Sequence, residues 1–454
     1  MSTDTASNSP EPPPRSNCER REACVRRWLW WIVGLGLLLR VVAAVGLQYQ
    51  LDHRWQREFL IEGDANGYWE LGQRLARGES FQLYEPPRRV LRMPGFPAVI
   101  AASIRMFGDH KFAARLLLAV VCSAGIPLCY WLGTTLHSAE TGLIAAGLTA
   151  IAPVLIAFSP VLLTESLFAV LMLSSLACAV PLGGLLQSRE KSPQMTVVAL
   201  WSVLTGVMSA LAVYVKPSWI LAVPGFCVLL LLLARQRGTA LFCSVLIMTS
   251  LVLALLPWGL RNQRVSGHFT LTTFWMGPSL YDGLNPDATG DSDMTFFDRD
   301  GLMNSMSEYE VDRHYRKAAL EFVKQHPGRT LELVGIKFAR YWNPWPNAPQ
   351  FTHPTVRIAT SLAFLPLLLL AIYGGWEVRQ DRWLLVLTVA PILYFCALHC
   401  VFVSSLRYRL PGEYPLMVLA AIGLQTLWRT WRGTLPTTGI NMGQPSASPG
   451  GGAC

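Results

Sequence analysis

Long apolar runs alternate with short polar turns along the chain, and two polar segments, 49–92 and 261–357, stand out by their length. A bilayer core takes about 20 apolar residues per helix. The pattern predicts ten spans, near 28–47, 112–136, 142–158, 162–186, 195–214, 219–233, 241–258, 358–376, 383–403 and 411–428, with the third and sixth the shortest fits. Residues 95–107 are apolar but too short to cross, which predicts a helix lying in the interface or re-entering. The expected fold is an all-α polytopic membrane protein of about ten transmembrane helices, with an interfacial helical first outer loop and a small outer α-rich segment.

The first polar segment opens with EGDANGYWELGQRLARGES, residues 62–80. Tyr68, Leu71 and Leu75 share one face at i, i+3, i+7 spacing, and Gly78 is a natural stop, so a short amphipathic helix over 66–77 is expected. Asp64 reads two ways. It can cap that helix, a contact worth about 1 kcal/mol, or it can do chemistry at a membrane surface. In the second segment, a Gly/Asp-rich loop (277–300) precedes a helix near 305–325 and an amphipathic helix near 329–341. Phe338, Tyr341, Trp342 and Trp345 then return the chain to the interface.

Composition agrees with a membrane protein. Of 454 residues, 52% are hydrophobic and only 15% charged, and mean hydropathy is +0.34. The net charge of +9 comes from basic residues spread along the chain, so nucleic acid is not an expected partner. Most of the ten cysteines lie in apolar runs, which argues against a disulfide framework. Cys396, His399 and Cys400 have a ligand-like spacing, but they sit in an apolar span with no second pair, and metal binding is not expected there. Asp291 and Asp293 match a DxD pattern, which in this setting reads as a solvated loop.

Basic pairs fix the expected sidedness. With the N-terminus inside, Arg189 with Lys191, Arg235 with Arg237, Arg379 with Arg382, and Arg429 with Arg432 all fall on inner turns or the inner tail. Both termini are then cytoplasmic, in tails 1–27 and 431–454 that read as disordered. The outer side nevertheless holds Arg88, Arg89, Arg92, Lys216, Arg261, Arg264, Arg407 and Arg409. Singly, each reads as a snorkelling side chain. As a set drawn from separate segments, they suggest an anion held at the membrane surface, such as a lipid phosphate. Arg40 lies mid-span and must face the bundle interior, with a structural partner favoured. Glu165 stands at the outer mouth of the fourth span, where an acid complements the helix N-terminus.

Several of these stretches together resemble the GT-C superfamily of polyprenyl-phosphate-dependent glycosyltransferases. The similarity is to the branch of protein mannosyltransferases and lipid A aminoarabinose transferases, in particular the bacterial family 39 members. It rests on GDANGYWELGQRLARGE, RMPGFP at 92–97, LTESLF at 163–168, VKPSW at 215–219, PWGLRNQRVSGHFTLTT, SLYDGLNPDATG, HPGRTLELVGIKFARYWNPWPN and LRYRLPGEYP, in family order across 28–430. The resemblance implies transfer of a sugar from a polyprenyl-phosphate donor to a hydroxyl of a lipid, glycan or protein acceptor, with inversion, on the extracytoplasmic face of the plasma membrane. It implies Asp64 as the general base and gives Glu165 a site role. Arg92, Lys216, Arg261, Arg407 and Arg409 become candidates for the donor phosphate, and Tyr68, Arg88 and Tyr408 for the substrate cavity. Ala65 and Asn66 stand where many relatives carry a second acid, which argues against a paired-acid or metal-binding first loop. No cofactor is implied, and a divalent-metal requirement stays open.

The expected organisation is a tail (1–27), a transmembrane catalytic core (28–260) with its first outer loop (49–92), an extracytoplasmic segment capping the cavity (261–357), C-terminal helices (358–430) and a second tail (431–454). The rival readings are a transporter or lipid flippase without glycosyl transfer, and a non-catalytic scaffold. Within enzymes, an O-antigen ligase or polymerase is the alternative. Against the transporter, no repeated halves are visible, and nearly all the unusual ionisable residues lie at one membrane face.

Overall fold

The computed structural model describes residues 17–187, 194–347 and 353–433. The inner pair Arg189 and Lys191, most of the 1–27 tail and nearly all of the 431–454 tail lie outside the described residues. Among the described residues the chain is helical throughout, its only strand-like pairing being an isolated bridge between Leu83 and Arg88.

Among the described residues, six helices are long and apolar enough to cross a membrane: Ala23–Trp55, Lys111–Leu136, Thr164–Gly183, Met195–Val215, Arg237–Ser266 and Pro354–Glu377. The pair Arg382–Thr388 and Ala390–Val401, bent by 47°, makes a seventh if counted as one span. The expected ten are therefore not recovered, and the shortfall has local causes. Residues 142–158 break at Ala152, which Pro153 forces to an extended ψ of 113°. Residues 219–233 belong to a short apolar helix, Pro217–Leu233. The last helix, Leu406–Trp431, is long enough, yet carries Arg407, Arg409, Glu413 and Gln425. As expected, 95–107 forms a short apolar helix, Gly95–Phe107.

Leu406–Trp431 is the axis of the bundle, buried at nearly every position between Leu406 and Gln425. It packs on Pro354–Glu377 through two glycines. A Cβ on Gly374 would sit 2.0 Å from the Leu419 carbonyl oxygen, and one on Gly423 would sit 2.2 Å from that of Leu370. The backbones meet there with no room for any side chain. One large apolar core joins this helix to its neighbours.

Arg40 is fully buried, as its mid-span position demands. It donates to the carbonyls of Gly36 at 3.0 Å, Thr149 at 3.1 Å and Ala150 at 3.4 Å. Thr149 and Ala150 lie in the last turn of the Ala139–Ile151 helix. The arginine thus satisfies carbonyls that the break at Ala152 leaves without helical partners, and it meets the negative end of a helix dipole.

The second outer segment starts later than the apolar pattern suggests, because the Arg237–Ser266 helix carries Arg261 and Arg264 in its last turns and stops at Gly267, φ 77°. The expected helices near 305–325 and 329–341 are present as Glu308–Gln325 and Pro327–Trp342. The stretch read as a loop over 277–300 instead holds two short helices, Met276–Gly283 and Thr295–Asp300.

Candidate active site

The first outer helix runs Glu62–Arg77 and ends at Gly78, whose φ of 75° lets the chain turn. Asp64 falls in its first turn, and the cap position is taken by Ile61, with no side-chain cap hydrogen bond. The capping role weighed for Asp64 is therefore not what its carboxylate does. Oδ1 accepts from Arg92 Nη2 at 2.9 Å, and Oδ2 lies 3.5 Å from Arg407 Nη1. The first turn still favours an acid through the helix dipole.

Glu165 occupies the first turn of its helix, 3% exposed. Its Oε1 accepts from Lys216 Nζ at 3.1 Å and lies 3.9 Å from Arg407 Nε. Its Oε2 is buried with no hydrogen-bond partner. Arg407 therefore bridges the two carboxylates. It also donates to the Tyr408 hydroxyl at 2.6 Å, while Lys216 lies 4.8 Å from the Tyr408 ring centroid. Arg92 lies over the rings of Tyr68, at 5.4 Å, and Trp275, at 5.3 Å.

The cluster thus sets three cations against two carboxylates, leaving one positive charge over. Burial alone would raise the Asp64 carboxyl, but Arg92, Arg407 and Lys216 outweigh it and hold it below its ordinary value. Burial pushes the Tyr68 phenol up to about 12, so it is a neutral hydrogen-bonding group. Such a site can hold an anion between arginine forks and a lysine point charge, beside a carboxylate free to accept a proton once its cations turn elsewhere.

Seven of the ten residues singled out in the sequence meet here: Asp64, Tyr68, Arg92, Glu165, Lys216, Arg407 and Tyr408. The other three are placed elsewhere. Arg88 is buried and donates to the carbonyls of Met303 and Met306. Arg261 donates to the carbonyls of Arg89 at 2.6 Å and Phe81 at 3.1 Å. Arg409 is fully buried, paired with Glu413 at 2.7 Å and bonded to the carbonyls of Tyr341 and Asn343, each at 2.9 Å. All three arginines donate to backbone carbonyls, and Arg409 pairs with a buried acid as well.

Two neighbours were not foreseen as site residues. Trp275 comes from the second outer segment and covers Arg92. His399 stacks on Tyr408, 4.2 Å between ring centroids, with Nδ1 2.8 Å from the Val403 carbonyl. Nothing in the residue pattern around Trp275 distinguishes it from an interfacial tryptophan. Among the described residues, no group of three or more His, Cys, Asp or Glu is placed to hold a metal ion. Asp291 of the DxD pattern pairs with Arg340 at 2.6 Å.

Residues 97–273 match the family model of dolichyl-phosphate-mannose-protein mannosyltransferase. That stretch includes Glu165 and Lys216, while Asp64, Arg92 and Arg407 lie outside it. Comparison with curated proteins finds no match. Among solved structures, the apo oligosaccharyltransferase of Archaeoglobus fulgidus superposes with a TM-score of 0.55 at 13% identity, over 89% of this chain and 52% of that one. The same organism's oligosaccharyltransferase AglB, in complex with an inhibitory peptide and a dolichol-phosphate, gives 0.52 at 14% identity, over 90% and 52%. ArnT from Cupriavidus metallidurans bound to undecaprenyl phosphate gives 0.44 at 17% identity, over 89% and 79%. The chain spans about half the length of the oligosaccharyltransferase it matches. This is a multi-pass membrane protein that shares the fold of the Archaeoglobus fulgidus oligosaccharyltransferase, and its residues 97–273 match the model of the dolichyl-phosphate-mannose-protein mannosyltransferase family.

Proposed function

We propose that this protein moves a sugar from a polyprenyl-phosphate donor to a hydroxyl of a lipid, glycan or protein acceptor, with inversion at the anomeric carbon. The observation that carries the reading is the cluster in which Arg92, Lys216 and Arg407 converge on Asp64 and Glu165. The acceptor oxygen attacks the anomeric carbon, and its proton passes to Asp64. The bond from that carbon to the phosphate oxygen breaks, and the polyprenyl phosphate leaves with the electron pair. Its growing charge is met by Arg92, Lys216 and Arg407, which act strongly because the site is partly withdrawn from water. The family model over 97–273 and the dolichol-phosphate in the AglB complex support the donor class.

The same reading puts the site on the extracytoplasmic face and both termini in the cytoplasm. Arg237 and Arg429 lie at the far ends of helices whose near ends carry Arg261 and Arg407, which agrees with basic residues on the inner side. The test is release of polyprenyl phosphate by purified protein in liposomes, given a panel of polyprenyl-phosphate sugars and acceptors of each class. Release that depends on an acceptor supports the proposal. Movement of the intact donor across the bilayer without release would replace it with the transporter or flippase reading.

A further inference from the structure

Arg92 is held in place by a part of the chain far from it in sequence. Val90, two residues earlier, donates its N–H to both carboxylate oxygens of Glu308, at 3.0 and 3.1 Å, across 218 residues of sequence. The Val90 carbonyl accepts from the Phe274 N–H at 3.0 Å, and the Val90 side chain is fully buried. Trp275, the neighbour of Phe274, covers the Arg92 guanidinium and stacks on Phe297, 5.2 Å between centroids and 11° from parallel. Arg88 reaches the carbonyls of Met303 and Met306 in the same segment. The second outer segment therefore grips the backbone that carries Arg92 as well as the guanidinium.

We infer that Glu308 is a positioning residue for Arg92, fixing through Val90 the backbone from which the guanidinium reaches the donor phosphate and Asp64. This rests on the functional reading above. A carboxylate accepting from a backbone N–H is a strong, directional contact. Glu308 also lies in the first turn of the Glu308–Gln325 helix, where any acid is favourable. That helix has a separate cap, however. Ser307 and Glu310 form a reciprocal capping box. Helix support and loop support are thus carried by different acids and can be separated.

The experiment is donor-titration kinetics on full-length protein in detergent, with a polyprenyl-phosphate sugar that the wild type uses. Glu308→Ala is expected to raise the donor KM about tenfold and to lower kcat by a smaller factor, because Arg92 holds the phosphate in the ground state and also meets its added charge in the transition state. Glu308→Gln keeps one acceptor oxygen for Val90 and recovers most of the loss. In an Arg92→Ala background, Glu308→Ala adds nothing, since the two act through one group. Glu310→Ala leaves the donor KM unchanged.

An unchanged KM in Glu308→Ala, an equal rise in Glu310→Ala, or a full additional rise in the Arg92→Ala background each overturns the inference while the functional reading stands. If Glu308→Ala does not fold, Trp275→Leu takes its place, with the same rise and the same non-additivity expected. A wild type that neither transfers sugar from any donor nor binds polyprenyl monophosphate removes the functional reading and this inference together.

Discussion

Replacing Asp64 with asparagine should move two measurements in opposite directions. The amide keeps the shape and one acceptor oxygen, but it cannot take a proton, so turnover should fall by about 10²–10⁴-fold, the usual worth of a general base. Affinity for polyprenyl monophosphate should rise, because Asp64 competes with the phosphate for Arg92 at 2.9 Å and Arg407 at 3.5 Å. A pair at 3.5 Å carries on the order of 5 kcal/mol of gross Coulomb energy at an effective dielectric of about 20. The Asp64 side chain is 33% exposed, so solvent screening removes most of that. A net gain of about 1.4 kcal/mol, roughly tenfold in Kd, is the expected remainder. The assay is single-turnover sugar transfer beside equilibrium binding of polyprenyl monophosphate, on preparations that are both fully folded at the assay temperature. Turnover equal to wild type would remove Asp64 as the base and move the search to Glu165. Unchanged or weaker phosphate binding would refute the idea that Asp64 and the phosphate draw on the same cations.

Three further outcomes are expected. With its pKa held below the ordinary 3.8 by Arg92, Arg407 and Lys216 against the effect of burial, Asp64 contributes stability that is fully present above the unfolded value and lost as pH falls through the folded one. The melting temperature of wild type should therefore drop relative to Asp64→Asn only below about pH 4, and a gap that closes near pH 6 would contradict the ion pairing. Arg409→Met leaves Glu413 buried without its partner and strips donors from the Tyr341 and Asn343 carbonyls; a loss of about 3–5 kcal/mol is expected in unfolding measurements, with the donor KM of the surviving folded protein unchanged. Gly423→Ala drives a methyl group to 2.2 Å from the Leu370 carbonyl oxygen; thermal unfolding should show a loss of at least about 1–3 kcal/mol, and a neutral result would mean the two helices can part without penalty.

Much of this architecture is written in the sequence as periodicity. The runs of apolar residues give most of the spans, and the spacing of Tyr68, Leu71 and Leu75 with Gly78 gives the first outer helix to within a turn. Breaks within apolar runs are harder to read. Pro153 splits one run at Ala152, whereas Pro257 sits inside an unbroken helix, and only the surrounding packing decides between the two. The arginines show the same difficulty. Arg92, Arg261, Arg407 and Arg409 look alike as outer-face cations beside apolar segments. What separates them is the partner each finds, a carboxylate of the site for Arg92 and Arg407, but loop carbonyls for Arg261 and a buried acid for Arg409. Those partners lie far away in the chain, and local pattern carries no record of them. The capping box of Ser307 with Glu310 follows a local spacing rule, yet that rule says nothing of where Glu308, between them, points.

The burial of Leu406–Trp431 on nearly all sides sets how the site experiences its surroundings. A membrane helix adapts to a thinner or thicker bilayer by tilting, and the helices that face lipid do this most freely. Pro354–Glu377 and the first helix expose wide apolar faces, including Leu362, Leu369 and Trp376 on one and Leu38 and Val42 on the other. The axial helix is wedged between neighbours, locked at Gly374 and Gly423, and tied by Arg409 to the end of Pro327–Trp342. Changes in lipid thickness are thus absorbed at the rim of the bundle, while Arg407, in the first turn of the enclosed helix, keeps its bearing on Asp64 and Glu165.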